Sequence, residues 1–203
     1  MKSNFARCMT VLLLALMAFA VSAREATDPS PYWDGLNFKA EAGDRYFLIV
    51  SPYTTHFSPS EDHEYVWLAG FERERSTGIV AGFAYFSNSF GQPSVYYYPW
   101  GKIYKDLIGV DGLYFKWSAG LAYGYVEPYE NKVPLNYNGF SPGFFPMLGY
   151  QSRGGFQSQL NLLGTAGLML QFSIPLNAAP DPHGDAATHE VGDSAQAGPA
   201  PTG

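Results

Sequence analysis

The chain has 203 residues, and only 15% of them are charged, against about a quarter in an average soluble globular domain. Aromatic residues make up 17% of the chain, and its 22 glycines and 15 prolines argue against a mostly helical protein, because both residue types weaken helix interiors. The formal net charge is -6, with no basic block and no zinc-ligand spacing of cysteines, which excludes nucleic-acid binding and zinc fingers. The length fits one domain.

Residues 1–23 are predicted to be a cleaved signal peptide. Lys2 and Arg7 precede an apolar run that ends in Val21-Ser22-Ala23, the small residues that a signal peptidase prefers. Cleavage there removes Cys8, the only cysteine, so no disulfide is expected in the mature protein. No later stretch reaches the roughly 18 consecutive apolar residues of a membrane-spanning helix.

Two segments flank the informative part of the chain. In residues 24–44, the side chains of Tyr32, Trp33, Leu36 and Phe38 predict a short amphipathic helix at a membrane interface. Residues 177–203 contain no aromatic residue, lysine or arginine, and this composition predicts a disordered tail because it buries too little apolar surface to offset ordering entropy.

Residues 45–176 hold 29 of the 34 aromatic residues and show an apolar period of two, which predicts β-strands. Large side chains recur at every second position in four stretches: Tyr65 to Phe71, Ile79 to Tyr85, Leu113 to Tyr125 and Ala166 to Ile174. The alternate positions are rich in Gly, Ala and Ser. This pattern favours a barrel whose large residues face lipid and whose small residues line a narrow lumen.

The pattern predicts eight strands, near 45–57, 63–75, 78–90, 94–106, 112–126, 141–152, 154–163 and 164–176. An even number of strands is typical of an all-β, antiparallel transmembrane β-barrel of the bacterial outer membrane. An eight-stranded barrel holds packed side chains or one slim ligand, so no water-filled pore is expected. The polar connection from Glu127 to Ser141 is expected to be an external loop.

Two predicted strand ends carry residues suited to catalysis. His56 is the only histidine inside a strand-like segment, and Phe86-Ser87-Asn88-Ser89-Phe90 stands at the end of the third predicted strand. An imidazole can activate a hydroxyl as a general base. A structural histidine and an ordinary turn are the alternative interpretations of these residues. His63 follows a turn signal and is expected on a loop surface.

At these positions the sequence resembles the lipid A palmitoyltransferases of the Gram-negative outer membrane. His56 matches the histidine that ends the family's first strand, Ser89 matches its serine between aromatics, and Asn88 stands where the family has an aspartate. Trp117-Ser118-Ala119-Gly120-Leu121 is similar to the family's central strand, and Pro142 to Tyr150 followed by Phe156-Gln157 to its proline-interrupted sixth strand and the next. The resemblance covers roughly residues 45–174.

The resemblance implies an eight-stranded barrel with a short N-terminal helix that moves a palmitoyl chain from a glycerophospholipid to lipid A. It implies a catalytic site of His56, Asn88 and Ser89, with a phospholipid donor and a lipid A acceptor as partners, in the outer membrane. No cofactor, metal or nucleic acid is expected, and the expected state is a monomer.

The asparagine has a chemical consequence. An aspartate can orient an imidazole and also stabilise its cationic form, whereas an amide can orient the ring through its carbonyl oxygen without adding charge. Either the constellation is weaker in this chain or the acid comes from elsewhere, and Glu61 and Asp62 are the nearest acidic residues in sequence.

Transfer also requires a dry acyl slot. The segment Tyr96 to Gly101 is a candidate for its floor, with an interfacial aromatic girdle as the alternative. Pro52, Pro142 and Pro146 remove ladder donors in predicted strands, and in the resembling family such gaps admit lipid laterally. Turn-shaping prolines are the alternative interpretation.

Two competing functions remain open at this point. A lipid A deacylase is one, because His56-Phe57-Ser58 has the His-x-Ser spacing of such enzymes, although in them the motif lies late in the chain. A non-enzymatic structural or adhesion barrel is the other, since it accounts for the strands and aromatics equally well.

Overall fold

A computed structural model describes residues 35–58 and 60–177 as one closed antiparallel β-barrel. Each strand pairs with its neighbour in sequence, and the last pairs with the first. The strands are β1 Arg45–His56, β2 Leu68–Glu74, β3 Val80–Ser87, β4 Pro93–Lys105, β5 Leu113–Tyr123, β6 Phe140–Gln151, β7 Gln157–Leu162 and β8 Gly167–Pro175. The predicted all-β, eight-stranded barrel is therefore confirmed.

Short 3-10 turns lie at Leu107–Gly109 and Glu130–Lys132, and residues 35 and 36 are also in 3-10 conformation. Among residues 35–58 and 60–177, no helix combines the length and the apolar character needed to cross a bilayer. The amphipathic helix predicted around Tyr32 to Phe38 lies partly outside the described residues, and residues 37–40 are irregular. The predicted signal peptide lies wholly outside them.

The predicted start of the second strand is wrong by five residues, because β2 begins at Leu68 rather than near His63. The pairing of β1 with β2 ends at Ser51 and Leu68, just before Pro52. Tyr65 is not part of a strand, and its hydroxyl instead donates to the carbonyl of Pro52 at 2.6 Å. The alternating pattern continues through residues 63–67, but these residues form no ladder with β1. The pattern alone therefore overestimated the length of the strand.

The alternation between exterior and lumen follows the predicted faces. On β5, Leu121 and Tyr123 are exposed, whereas Lys116 and Ser118 are buried inside. β8 repeats the arrangement, with Gln171 and Ser173 buried. Large apolar side chains are therefore exposed on the exterior, whereas the interior combines apolar clusters with buried polar and charged side chains, an arrangement compatible with a membrane barrel.

The content of the lumen differs from the predicted lining of glycine, alanine and serine. Its lower half is filled by buried ionic and amide side chains: Glu72, Glu74, Lys116, Gln157 and Gln159. Lys116 donates to Glu72 at 2.7 Å and Gln157 donates to Glu74 at 3.2 Å. These groups are satisfied by one another, as buried charges must be, and they close the lower half of the barrel.

The aromatic run in β4 points to both faces. Tyr96 and Tyr98 lie in the lumen with their rings stacked at 5.0 Å, and Trp100 is exposed outside. A register shift between Tyr97 and Trp100 in the pairing with β5 accommodates the run. Both predicted roles of the segment, lumen floor and exterior aromatic, therefore apply to different residues of it.

We call the two ends of the barrel the upper rim, where β1 ends at His56, and the lower rim, where β1 begins at Arg45. At the lower rim, the buried Arg75 binds Glu41 at 2.7 Å and donates to the carbonyl of Asn37 at 3.0 Å. The side chain of Asn177 accepts from the amide of Tyr46 and donates to the carbonyl of Asp44. Asn177 thus completes the barrel, although it had been predicted to begin the tail.

The barrel wall has two gaps toward the upper rim. The β6–β7 pairing begins at Met147 and Asn161 and runs only downward, so the six residues from Ser141 to Pro146 extend above it. The β1–β2 pairing likewise stops at Ser51 and Leu68. Pro142 and Pro146 remain paired with β5 and are open only on the edge toward β7. Pro52 follows the last β1–β2 pair and lies within the register shift between β1 and β8.

Candidate active site

The structure brings His56 and Ser89 into direct contact at the upper rim. His56 ends β1 opposite Gly167 of β8, on the face that points into the barrel. Ser89 follows the end of β3 by two residues. The distance from His56 Nε2 to Ser89 Oγ is 2.8 Å, a normal length for a hydrogen bond between a hydroxyl and an imidazole.

A glycine makes room for this arrangement. A Cβ at Gly167 would lie 2.0 Å from the carbonyl oxygen of Thr55 and 3.1 Å from the Cα of His56. Any larger residue would push the end of β1 away from β8. Gly167 therefore lets the backbone of His56 approach its neighbour and fixes the direction of the imidazole.

Asn88 positions Ser89 rather than His56. The Asn88 side chain is fully buried, and its Oδ1 accepts from the amides of Phe90 at 2.9 Å and Gln92 at 3.1 Å. Its Nδ2 donates to Ser94 Oγ at 3.1 Å and to the Gly124 carbonyl at 3.2 Å. This is an Asx-type turn that also ties the start of β4 to the end of β5.

The imidazole consequently has a different neighbour from the one the sequence pattern predicted. The carbonyl oxygen of Asn88 is committed to the two backbone amides and does not orient His56. Glu61 and Asp62 are exposed, and among the described residues neither forms a hydrogen bond or ion pair with His56.

His63 packs on the imidazole instead. The ring centroids of His56 and His63 are 4.1 Å apart with 34° between their planes, and His63 is half-buried although it was expected on a loop surface. Burial lowers the pKa of His56, and the neighbouring charge of His63 lowers it further. His56, at the very end of β1, is therefore neutral near pH 7 and able to accept a proton.

An aromatic cluster lies beside the pair at the upper rim. We call it the Phe90 cluster; it consists of His63, Phe90, Tyr125, Tyr129 and Lys132. The ring of Phe90 stacks on Tyr129 at 4.3 Å with 10° between the planes, and meets Tyr125 edge-on at 6.4 Å and His63 at 5.8 Å. The ammonium of Lys132 lies 6.0 Å from the centre of the Phe90 ring, within range of a cation–π contact.

Tyr125 links this cluster to Ser89. Burial raises the pKa of the Tyr125 phenol, and hydrogen bonding to the side chain and backbone of Ser89 opposes that rise. Tyr125 is thus a neutral phenol beside the serine hydroxyl. The sequence pattern placed Phe90 and Tyr125 at the ends of predicted strands and did not assign Phe90, Tyr125 or Tyr129 to the site. In the structure all three lie on connections between strands, whose path no periodicity describes.

The lumen below the pair is less polar than at the lower rim. Leu68, Ala84, Phe86, Ala122 and Met169 face the interior along the strands that reach the upper rim. Tyr96 and Phe145, whose centroids are 5.1 Å apart, follow beneath them. Ser94, Ser141 and Asn161 add small polar groups to this region.

Metal binding has no support in the described part of the chain. Across residues 35–58 and 60–177, no group of three or more His, Cys, Asp or Glu side chains is arranged to hold a metal ion. The chemistry available at the upper rim is that of an imidazole and a hydroxyl.

Comparison with known proteins adds no family to this description. No protein-family model matches the chain, and no curated protein sequence matches it.

Proposed function

We propose that the protein is an outer-membrane acyltransferase that moves a palmitoyl chain from a glycerophospholipid to lipid A. The observation that carries the proposal is the 2.8 Å contact between His56 Nε2 and Ser89 Oγ at the rim of an eight-stranded barrel. The resemblance to the lipid A palmitoyltransferases supplies the substrate class. It rests on these two residues together with the similar segments Trp117 to Leu121 and Pro142 to Gln157.

The dimensions of the barrel support insertion in a membrane. β1 and β6 have 12 residues each and β4 has 13, which corresponds to about 40 Å of strand at about 3.3 Å per residue. At the roughly 40° tilt of such barrels, these strands rise about 30 Å, close to the thickness of a bilayer core. Exposed apolar side chains such as Phe71, Phe83 and Leu148 would contact the acyl chains.

The first half of the proposed reaction forms an acyl-serine. His56 accepts the proton of the Ser89 hydroxyl, and Ser89 Oγ forms a bond with the ester carbonyl carbon of the phospholipid. The ester bond to glycerol breaks, and His56 returns the proton to the glycerol oxygen, so that a lysophospholipid leaves.

The second half transfers the chain. A hydroxyl of lipid A gives its proton to His56 and forms a new ester bond with the acyl carbon, while the bond from that carbon to Ser89 Oγ breaks. The proton then returns to Ser89. His56 serves as base and acid in turn, which its neutral state near pH 7 allows.

Under this proposal the acyl chain enters the upper lumen, and the lipids reach it at the open strand edges. An extended acyl chain would occupy the lumen beneath Ser89, with Tyr96 and Tyr98 as its floor and the Glu72–Lys116 ion pair below them. The open strand edges beside Pro52 and Pro142 would let lipid enter from the membrane plane, since an open ladder is the only place where a barrel wall can part.

The test compares lipid A from cells that lack the gene with lipid A from cells that express it, by mass spectrometry. The proposal predicts a gain of one palmitoyl unit with the wild-type protein and none with His56→Asn or Ser89→Ala. Both variants must still insert, which heat-modifiable migration on gels verifies. Full palmitoylation by an inserted His56→Asn or Ser89→Ala variant would refute the site.

Ser58→Ala is a matched control because Ser58 is exposed two residues after His56. The proposal predicts unchanged palmitoylation by this variant. If purified wild-type protein instead removes an acyl chain from lipid A without a phospholipid donor, and Ser58→Ala abolishes this, the protein is a deacylase. If lipid A is unchanged in every sample, a structural or adhesion barrel is the better description.

A further inference from the structure

The Phe90 cluster joins three separate connections of the barrel over one reactive pair. His63 lies between β1 and β2, Phe90 between β3 and β4, and Tyr125 and Tyr129 between β5 and β6. Phe90 contacts a ring from each of the other two connections and directly follows Ser89 in sequence. It is the residue through which the three connections meet.

The position of the Phe90 cluster matters for the fate of an acyl group on Ser89. Once an acyl group is on Ser89, either an acceptor hydroxyl or water can attack it. Water is small and abundant, so transfer prevails only where the site excludes it. The tight stacking of Phe90 on Tyr129, at 4.3 Å and 10°, leaves no space for a water molecule between the two rings.

We propose that Phe90 determines whether the acyl group passes to an alcohol acceptor or to water, by closing the solvent side of the His56–Ser89 pair. The inference rests on the proposed function and adds to it the choice between transfer and hydrolysis. In the competing reaction, water forms a bond with the acyl carbon, the bond to Ser89 Oγ breaks, and a free fatty acid leaves. The proton of that water returns to Ser89 through His56.

Removal of the Phe90 ring would create a space with polar edges. The His63 imidazole and the Tyr125 ring both contact the ring that would be removed, and the Tyr125 phenol is hydrogen-bonded to Ser89. A cavity of that kind, with two or more hydrogen-bonding partners, takes up water, whereas an apolar one stays dry. The catalytic pair itself would remain, because Asn88 holds the turn through Oδ1 and Nδ2 independently of the ring.

The experiment uses the full chain in detergent micelles, with lipid A and a phosphatidylcholine whose palmitoyl chain is radiolabelled. Palmitoyl-lipid A and free palmitate are measured in the same reaction. For Phe90→Ala, the ratio of free palmitate to palmitoyl-lipid A is expected to rise about tenfold, equivalent to about 1.4 kcal/mol between the two barriers. Tyr129→Ala should shift the ratio in the same direction, because Phe90 loses its stacking partner.

Phe90→Leu and Tyr137→Ala are the matched controls. Leucine keeps an apolar group over the pair and should restore most of the transfer. Tyr137 is exposed on the same connection as Tyr129 and does not belong to the cluster, so its variant should keep the wild-type ratio.

The outcomes separate the two proposals. If the wild-type protein palmitoylates lipid A but the ratio stays unchanged in both Phe90→Ala and Tyr129→Ala, the role of Phe90 is refuted and the proposed function stands. If the wild-type protein consumes no donor, the proposed function fails and the inference falls with it. Two variants are needed because a loss of fold in Phe90→Ala alone would otherwise mimic a loss of transfer.

Discussion

Lys116 Nζ lies 2.7 Å from Glu72 Oε1 inside the barrel, and both side chains are enclosed. The hydroxyl of Tyr98 donates to the other oxygen of Glu72 at 3.0 Å. Residues on β2 and β5, which are not neighbours in the wall, are thereby joined across the lumen. The ion pair therefore connects two separate parts of the barrel wall through the interior.

Removing one charge of this ion pair should lower the free energy of unfolding more than removing both. Lys116→Met leaves an uncompensated buried carboxylate, and we expect a loss of about 3–5 kcal/mol in the free energy of unfolding. The double variant Glu72→Gln/Lys116→Met keeps the hydrogen bond from Tyr98 and should recover most of that loss. Urea unfolding of the protein refolded into lipid vesicles measures both values. A double variant no more stable than Lys116→Met would contradict this role of the ion pair.

The pH dependence of transfer follows from the state of His56. Burial and the nearby His63 lower the pKa of His56, and the proposed reaction needs the neutral imidazole. Activity is therefore expected to be level around pH 7 and to fall as the pH drops below 6.5 through that lowered pKa. A profile of kcat/KM against pH measures the position of this acid limb.

Replacing His63 should move the acid limb. In His63→Asn the like charge is absent, so the pKa of His56 rises toward its ordinary value, while burial still holds it down. The activity of His63→Asn should consequently begin to fall at a higher pH than that of the wild type. An unchanged acid limb would show that His63 does not influence the His56 charge.

Replacing Asn88 with aspartate, the residue that the resembling family has there, should not increase the activity. Asn88 Nδ2 donates to the Gly124 carbonyl and to Ser94, and a carboxylate would set an oxygen against that carbonyl in a fully buried position. We expect Asn88→Asp to lose about 1–3 kcal/mol of stability and to gain no activity. Asn88→Ser, without a buried charge, is the control, and thermal unfolding with the lipid A assay measures both effects.

We expect Arg75 to keep residues 37–44 folded against the barrel, whereas the barrel strands should not depend on it. Its guanidinium contacts Glu41 and the carbonyls of Asn37 and Lys39. In Arg75→Gln, amide hydrogen exchange is expected to increase in residues 37–44 and to stay slow in β4 to β7. Equal protection of residues 37–44 in variant and wild type would contradict this role. Exposed Lys39→Gln serves as the control.

The sequence predicted the wall of the barrel well, because an apolar exterior and a packed lumen require opposite residue types at alternate positions of each strand. It placed Lys116 on the inner face of its strand, but its partner on β2 could not be inferred. That pairing depends on how eight strands close and which inner positions then face one another across the lumen. Burial of charge on the inner face is therefore a property of the closed barrel rather than of any one strand.

The site was predictable in part for the same reason. His56 and Ser89 stood at predicted strand ends, and strand ends meet at a rim when the barrel closes. Asn88 was expected beside the imidazole, yet its amide fits the turn that follows β3 and is consumed there. The contacts of His63, Phe90 and Tyr129 could not be predicted, because they depend on the path of irregular connections. Such a path leaves no periodic pattern in the sequence.

The two hydrogen bonds that Asn177 forms with Tyr46 and Asp44 fix where the chain leaves the barrel. It exits at the lower rim, at the opposite end from the His56–Ser89 pair. If the barrel spans the outer membrane as proposed, an epitope inserted directly after Asn177 would report the compartment at the lower rim, whereas one inserted near Tyr137 would report the compartment at the upper rim. Protease treatment of intact cells could then give the orientation of the barrel without any measurement of activity.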